Sequence, residues 1–157
     1  MTECCPIIDA ILYRKEWNGA HKGPPITAEV GDSMLTDKFY EVLEHEGIVT
    51  IVTWGEGEPH IVNEWNSYLV VTEDERILIP AGIMRKTEDN VRLNPKVKLA
   101  LGSKNVRGYK DYPGTAFVLE GTARFFDTGT EFDQMKQRHS FTTRVLEITV
   151  ASAQQML

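Results

Sequence analysis

The sequence predicts a mainly β fold: a closed or nearly closed antiparallel barrel of six to seven strands with short flanking helices. Three observations carry this. Short β-branched, apolar runs recur at close intervals, each bounded by Gly, Pro or polar turn residues. Helical periodicity is confined to two or three short stretches. Strand-helix-strand alternation is absent, as are G-x-G-x-x-G and the P-loop signature, which argues against a Rossmann-type sheet.

The elements follow in chain order. Residues 1–33 carry breakers at Gly23-Pro24-Pro25 and Gly31-Asp32-Ser33, and read as an N-terminal arm with a short stripe of Ile7, Ile8, Ile11 and Leu12. The barrel domain is expected over 34–157. Thr36 is the cap of a short helix whose Phe39, Val42, Leu43 and Glu46 share a face, with Gly47 as its stop. Strands are expected at Ile48–Thr53, His60–Trp65, Tyr68–Thr72 and Ile77–Pro80, the proline marking an end. Lys86–Leu93 reads as a helix capped by Thr87, with Glu88 and Asp89 where the helix dipole favours acids and Pro95 beyond its end. Val97, Leu99 and Leu101 alternate with Lys98 and Ala100 as a further strand, followed by a loop over 105–114. Phe117, Leu119, Gly121, Ala123 and Phe125 form one face of the next strand. Phe132, Met135 and His139 mark a last short helix, and Val145–Ala151 a last strand.

Composition narrows the function classes. With 41% hydrophobic and 25% charged residues, the chain reads as an ordinary globular protein. A net charge of −6 suits neither the phosphate backbone of nucleic acid nor an anionic membrane surface. No run approaches a membrane span, and the start lacks a secretory pattern, so a cytoplasmic location is expected. Cys4 and Cys5 are adjacent, cannot bridge without strain, and have no second pair to make a zinc site. No Ser-His-Asp or Cys-His arrangement is legible, so neither a catalytic nucleophile nor a metal site is expected.

Two clusters remain. In Asn63-Glu64-Trp65-Asn66-Ser67-Tyr68, polar and aromatic residues interrupt core-like strands. Asn63 and Trp65 project to one side of a strand, an amide beside an indole, which suits a flat heteroaromatic ligand as well as it suits a bent hairpin. In Pro80-Ala81-Gly82-Ile83-Met84-Arg85-Lys86-Thr87, a strand ends, a glycine follows and a helix begins. Free amides at a helix start, a lysine and a hydroxyl are the parts of an anion site. Lys and Arg oppose the dipole there, which an anionic partner would explain.

Further motifs bring a resemblance. Phe39-Tyr40-Glu41-Val42-Leu43 with Glu46-Gly47, Pro59-His60-Ile61-Val62-Asn63, Trp65-Asn66-Ser67-Tyr68, Lys86-Thr87-Glu88, Asn90-Val91, Leu101-Gly102-Ser103, Pro113-Gly114-Thr115, Glu131-Phe132 and Ile148-Thr149-Val150 span nearly the whole barrel. With Met84 and the terminal Leu157, they resemble the small FMN-binding proteins of anaerobic bacteria. These belong to the split-barrel group that includes pyridoxamine phosphate oxidases and flavin reductases.

The resemblance implies a split β-barrel and a homodimer that builds two FMN sites between its chains. Lys86 and Thr87, with backbone near Asn63 and Glu64, would hold the phosphate. Backbone at Pro80, Gly82 and Ile83 would meet the pyrimidine end of the ring, and Trp65 and Tyr68 would pack near the isoalloxazine. Leu157 would reach the partner's flavin, and Glu46 would influence its electrostatics. Ser67, Ala81, Met84, Asn90 and Phe141 complete the implied cofactor-binding set. The chain departs from the family at Glu64, where threonine is usual, at Arg85, where histidine is usual, and at Phe141, which aligns with a tryptophan. The implied activity is redox or electron transfer through non-covalent FMN, with an unidentified redox partner protein. The alternatives are a pyridoxamine phosphate oxidase, an NAD(P)H-dependent flavin reductase, or a flavin sensor without turnover. The ending Ala153-Gln154-Gln155-Met156-Leu157 lacks the arginines that such an oxidase carries.

Overall fold

The computed structural model describes residues 33–156, so the expected arm apart from Ser33, together with Cys4, Cys5 and Leu157, lies outside the described residues. The elements are α1 (Asp37–Leu43), β1 (Ile48–Thr53), β2 (His60–Trp65), β3 (Val70–Val71), β4 (Arg76–Ala81), α2 (Arg85–Leu93), β5 (Lys96–Arg107), β6 (Pro113–Phe126), α3 (Thr130–Arg138) and β7 (Arg144–Gln155). The seven strands form one antiparallel sheet in the order β2-β1-β5-β6-β7-β4-β3. It curls into the expected split barrel, with β2 and β3 at the edges.

Alternation along each strand builds the interior. Val49 and Ile51, Ile77 and Ile79, Val97, Leu99 and Leu101, Phe117 and Leu119, and Leu146 and Ile148 are all buried. Each such side chain contributes about 1.5–3 kcal/mol on leaving water. α1 plugs the barrel with Phe39, Val42 and Leu43, and Phe39 meets Phe117 edge-on at 5.4 Å. α3 packs outside, in a smaller cluster of Leu78, Met135 and Val145.

Several elements differ from the sequence reading. α1 begins at the Thr36 cap, whose side chain accepts from Phe39 N, but ends at Leu43 with Glu44 as C-cap. Gly47 is therefore not the helix stop. A Cβ there would run into the Gly102 carbonyl and meet Asn66 Nδ2 at 2.9 Å, so close backbone approach is what selects glycine. The strand expected from Tyr68 shrinks to Val70–Val71, because Asn66–Tyr68 forms a 3₁₀ turn. Buried Asn66 drives that turn: its amide donates to His45 O at 3.1 Å and Val42 O at 3.4 Å.

β4 runs past Pro80 to Ala81. β3 pairs only with Ile77 and Leu78, which leaves a side of β4 where a residue without an N–H is tolerated. Thr87 is not the cap of α2. The helix starts two residues earlier, Met84 holds the cap position, and Thr87 turns inward in the first turn. The loop over 105–114 contracts as β5 and β6 lengthen, leaving a tight connection with positive φ at Lys110 and Asp111. A register shift at Glu120/Gly121 lets β6 and β7 bend around the barrel. No helix among the described residues is long and apolar enough to cross a membrane.

Candidate functional site

An open cleft of about 490 Å³ lies where β2 comes near the end of β4, although four strands separate the two in the sheet. Val62, Glu64, Gly82, Ile83, Met84, Phe141 and Thr143 line it. It is thus the place where the barrel is split. A volume of this size accommodates a cofactor-sized ligand.

Each wall has a local cause. On β2, alternation turns Val62 and Glu64 to the cleft while Ile61, Asn63 and Trp65 are exposed on the other face. Thr143 fixes the end of β4: its N–H and hydroxyl both donate to Ala81 O at 3.0 Å, and the hydroxyl also reaches Gly82 O at 3.2 Å. The loop that carries Phe141 is pinned by Thr142, whose N–H and hydroxyl donate to His139 O, and by Lys136 Nζ on Thr142 O. Phe141 contacts His139 and Tyr68 at centroid distances of 5.7 and 5.6 Å, and Tyr68 lies 4.7 Å from His139. A Cβ on Gly82 would touch Phe141 at 3.4 Å. Ile83, 93% exposed, projects at the rim.

The start of α2 abuts the cleft through Met84. No side chain caps it, and first-turn amides have no intrahelical acceptors. Thr87 Oγ1 is buried without a hydrogen-bond partner among the described residues. Arg85 and Lys86 are exposed and form no ion pair among the described residues. The nearby acid does not offset them, since Glu88 is held by Arg92 at 2.7 Å and Arg144 at 3.1 Å. Two free cations, uncapped amides and an orphaned hydroxyl fit an anionic ligand. Within the cleft, burial pushes the Glu64 carboxyl above its ordinary range. Burial, helped by Arg138, pushes the His139 imidazole down.

The cleft therefore gathers Glu64, Gly82, Ile83, Met84 and Phe141 from the sequence-derived set, with Lys86 and Thr87 on the adjoining turn and Tyr68 behind Phe141. Pro80 and Ala81 are buried in β4. Asn90 is buried and donates to Thr53 Oγ1 at 3.2 Å, tying α2 to β1. Glu46 accepts from Ser67 Oγ at 2.8 Å, and both stay outside the cleft lining. Asn63 and Trp65 occupy the opposite face of β2, where Asn63 Oδ1 accepts from Thr50 Oγ1 at 2.9 Å. Sequence reasoning missed Val62 and Thr143. Val62 was reachable by counting two back from Glu64, whereas Thr143 carries no sequence signal.

The chain is 47% identical over 124 residues to the FMN-binding protein of Nitratidesulfovibrio vulgaris (strain DSM 19637 / Miyazaki F), covering 79% of this chain and all of that protein. Among solved structures, a HupZ variant from Group A Streptococcus superposes with a TM-score of 0.64 at 16% identity, over 78% of this chain and 100% of that one. An FMN-binding protein from Syntrophomonas wolfei superposes with a TM-score of 0.57 at 16% identity, over 69% of this chain and 76% of that one. These two likenesses concern the fold. The sequence profile of the pyridoxamine 5'-phosphate oxidase family matches residues 35–157, which take in the curled sheet and its three helices. The chain belongs to the pyridoxamine 5'-phosphate oxidase family of split-barrel proteins.

Proposed function

We propose that this protein binds FMN non-covalently in the cleft and serves in redox or electron transfer, with two copies paired as a homodimer and a separate protein as redox partner. The observation that carries the reading is the start of α2, where two unpaired cations and the buried, unpartnered Thr87 hydroxyl adjoin an aromatic-walled cleft. The name and full-length similarity of the Nitratidesulfovibrio relative support it.

Lys86, Thr87 and the first-turn amides of α2 would hold the phosphate. The bare backbone at Gly82 would offer hydrogen bonds to the ring edge, and Phe141, braced by Tyr68 and His139, would supply a stacking face. FMN supplies reversible electron uptake when bound; the protein's part is to hold, orient and shield it.

The homodimer has its own support. On the outer face of β1 and β2, Ile48 pairs with Trp65 and Val52 with Ile61, and three of these four side chains are exposed. A second copy covering this face would bring Trp65 and Asn63 toward a site between chains. A ligand met from both sides in this way would let expected site residues on opposite faces of one strand take part together.

The test is flavin fluorescence. Purified protein titrated with FMN is expected to quench the emission and to carry yellow colour through desalting; unchanged emission and a colourless protein refute the reading. Sedimentation of the wild type is expected to give a dimer and of Trp65→Asp a monomer, with a monomeric wild type refuting the pairing.

A further inference from the structure

We propose that Glu64 couples capture of the phosphate to uptake of a proton: its carboxyl is protonated in the complex and donates a hydrogen bond to a phosphate oxygen. This inference rests on the FMN reading above and deepens it, by stating how the charge of that ligand is met.

The placement of Glu64 argues for it. Glu64 faces the same cleft as Met84, the cap residue of α2, so a phosphate at that helix start shares a wall with the carboxylate. Glu64 is partly buried, and among the described residues it makes neither a hydrogen bond nor an ion pair. Its cross-strand neighbour on β1 is Val49, which is buried and apolar. The other cleft residues, Val62, Gly82, Ile83, Met84, Phe141 and Thr143, carry no charge.

The charged groups on the surrounding elements do not neutralise it. On α2, Arg85 and Lys86 are exposed beyond ion-pair distance of Glu64, and Glu88 is occupied by Arg92 and Arg144. On β7, Arg144 is that partner of Glu88. Before β7, His139 packs at a tilt against Tyr68 and Phe141, and its burial favours the neutral imidazole. Burial already moves the Glu64 carboxyl toward its protonated form, and an incoming phosphate moves it further, because two like charges at one wall disfavour each other.

A proton taken from solvent resolves the conflict. It turns the carboxylate, which can only accept, into a donor. The bond formed is a charge-assisted O–H···O⁻ contact, among the stronger hydrogen bonds that proteins make. The step balances simply: one proton leaves the solvent, one O–H bond forms on Glu64, and no covalent bond of the ligand changes. FMN affinity should then fall as the pH rises, by up to about tenfold per pH unit relative to a chain that cannot take the proton.

Calorimetric titration of the full chain with FMN, repeated in buffers of different ionisation heat, measures the proton uptake. Above neutral pH, the wild type is expected to take up about one proton more per FMN than Glu64→Gln or Glu64→Thr. Riboflavin, which lacks the phosphate, is expected to bind with no such difference. Equal uptake by the wild type and both variants overturns the proposal while leaving the FMN reading intact. The same Glu64-dependent proton appearing with riboflavin also overturns it, since the phosphate would then play no part. Failure of the wild type to bind FMN at any pH overturns both.

Discussion

Thr87 shows how a single side chain can report on a ligand. Its hydroxyl is buried and finds no partner among the described residues, an arrangement that costs about 1–3 kcal/mol in the free protein. Thr87→Val keeps the shape and removes the orphan. Chemical denaturation of the FMN-free protein is therefore expected to show unchanged or increased stability, while fluorescence titration shows weaker FMN binding. A variant weakened in both would mark Thr87 as ordinary packing. Lys86→Ala should weaken FMN by about five- to tenfold, roughly the strength of one exposed charge-assisted contact, and leave riboflavin affinity unchanged.

At this scale, residue types were legible in the sequence and their directions only partly so. The Lys86-Thr87 pair at a helix start was recognisable. That Thr87 sits inside the first turn was not, because the sequence does not say where Met84 breaks from extended backbone. Asn90 resembled a ligand-binding residue because asparagine carries donors and acceptors. Its partner Thr53 comes from another element and is invisible along the chain.

Among the elements, the turn after β2 sets the geometry of the cleft's aromatic wall. Asn66 leaves the strand, enters the protein and caps two carbonyls at the end of α1, which releases Tyr68 toward His139 and Phe141. Asn66→Ala is expected to lower stability by about 1–3 kcal/mol in a denaturant titration, because both carbonyls lose a buried donor. No loss of stability would show that the turn holds without it. The strands themselves were legible because alternation and β-branching are local properties. β5, β6 and β7 proved longer than expected because their ends are polar or glycine-containing and are held by pairing with each other. The residues of β6 also run on through a shift that no local pattern announces. Glycine at 121 is required there, where a Cβ would collide with the Thr149 backbone.

Across the whole molecule, a charge network centred on the buried Glu147 joins β4, β6, β7 and α3. Glu147, with its side chain 4% exposed, accepts from Arg76 at 2.5 Å and from Arg124 at 2.5 Å, and Arg76 also holds Glu131 at 2.7 Å. The hydrogen bond from Arg124, followed by that from Arg76, holds the Glu147 carboxyl below its ordinary 4.5. Its contribution to stability is therefore fully present above that value and is lost as the pH falls through the lowered one. His139 acts at higher pH. Its imidazole is held below 6.5, so the unfolded chain takes the proton first and stability declines as the pH drops beneath 6.5. Acid unfolding should show both limbs, with His139→Phe removing the upper one. Glu147→Gln should flatten the lower limb and lower stability at neutral pH by about 1–3 kcal/mol, since the buried acceptor of two guanidinium groups loses its charge, while Arg76 keeps Asp74 and Glu131 and Arg124 is already largely in solvent. Neutral-pH stability equal to wild type in Glu147→Gln would show that the network is dispensable.

The split of the barrel creates the cleft, and the cleft meets the start of α2, where cations unpaired among the described residues and an orphaned hydroxyl coincide. A crystal structure of the FMN complex tests this most directly. The phosphate is expected at the first turn of α2, in contact with Lys86 and Thr87, and the ring against Phe141. Flavin bound away from that turn, or no flavin in crystals grown with a large excess, would contradict it.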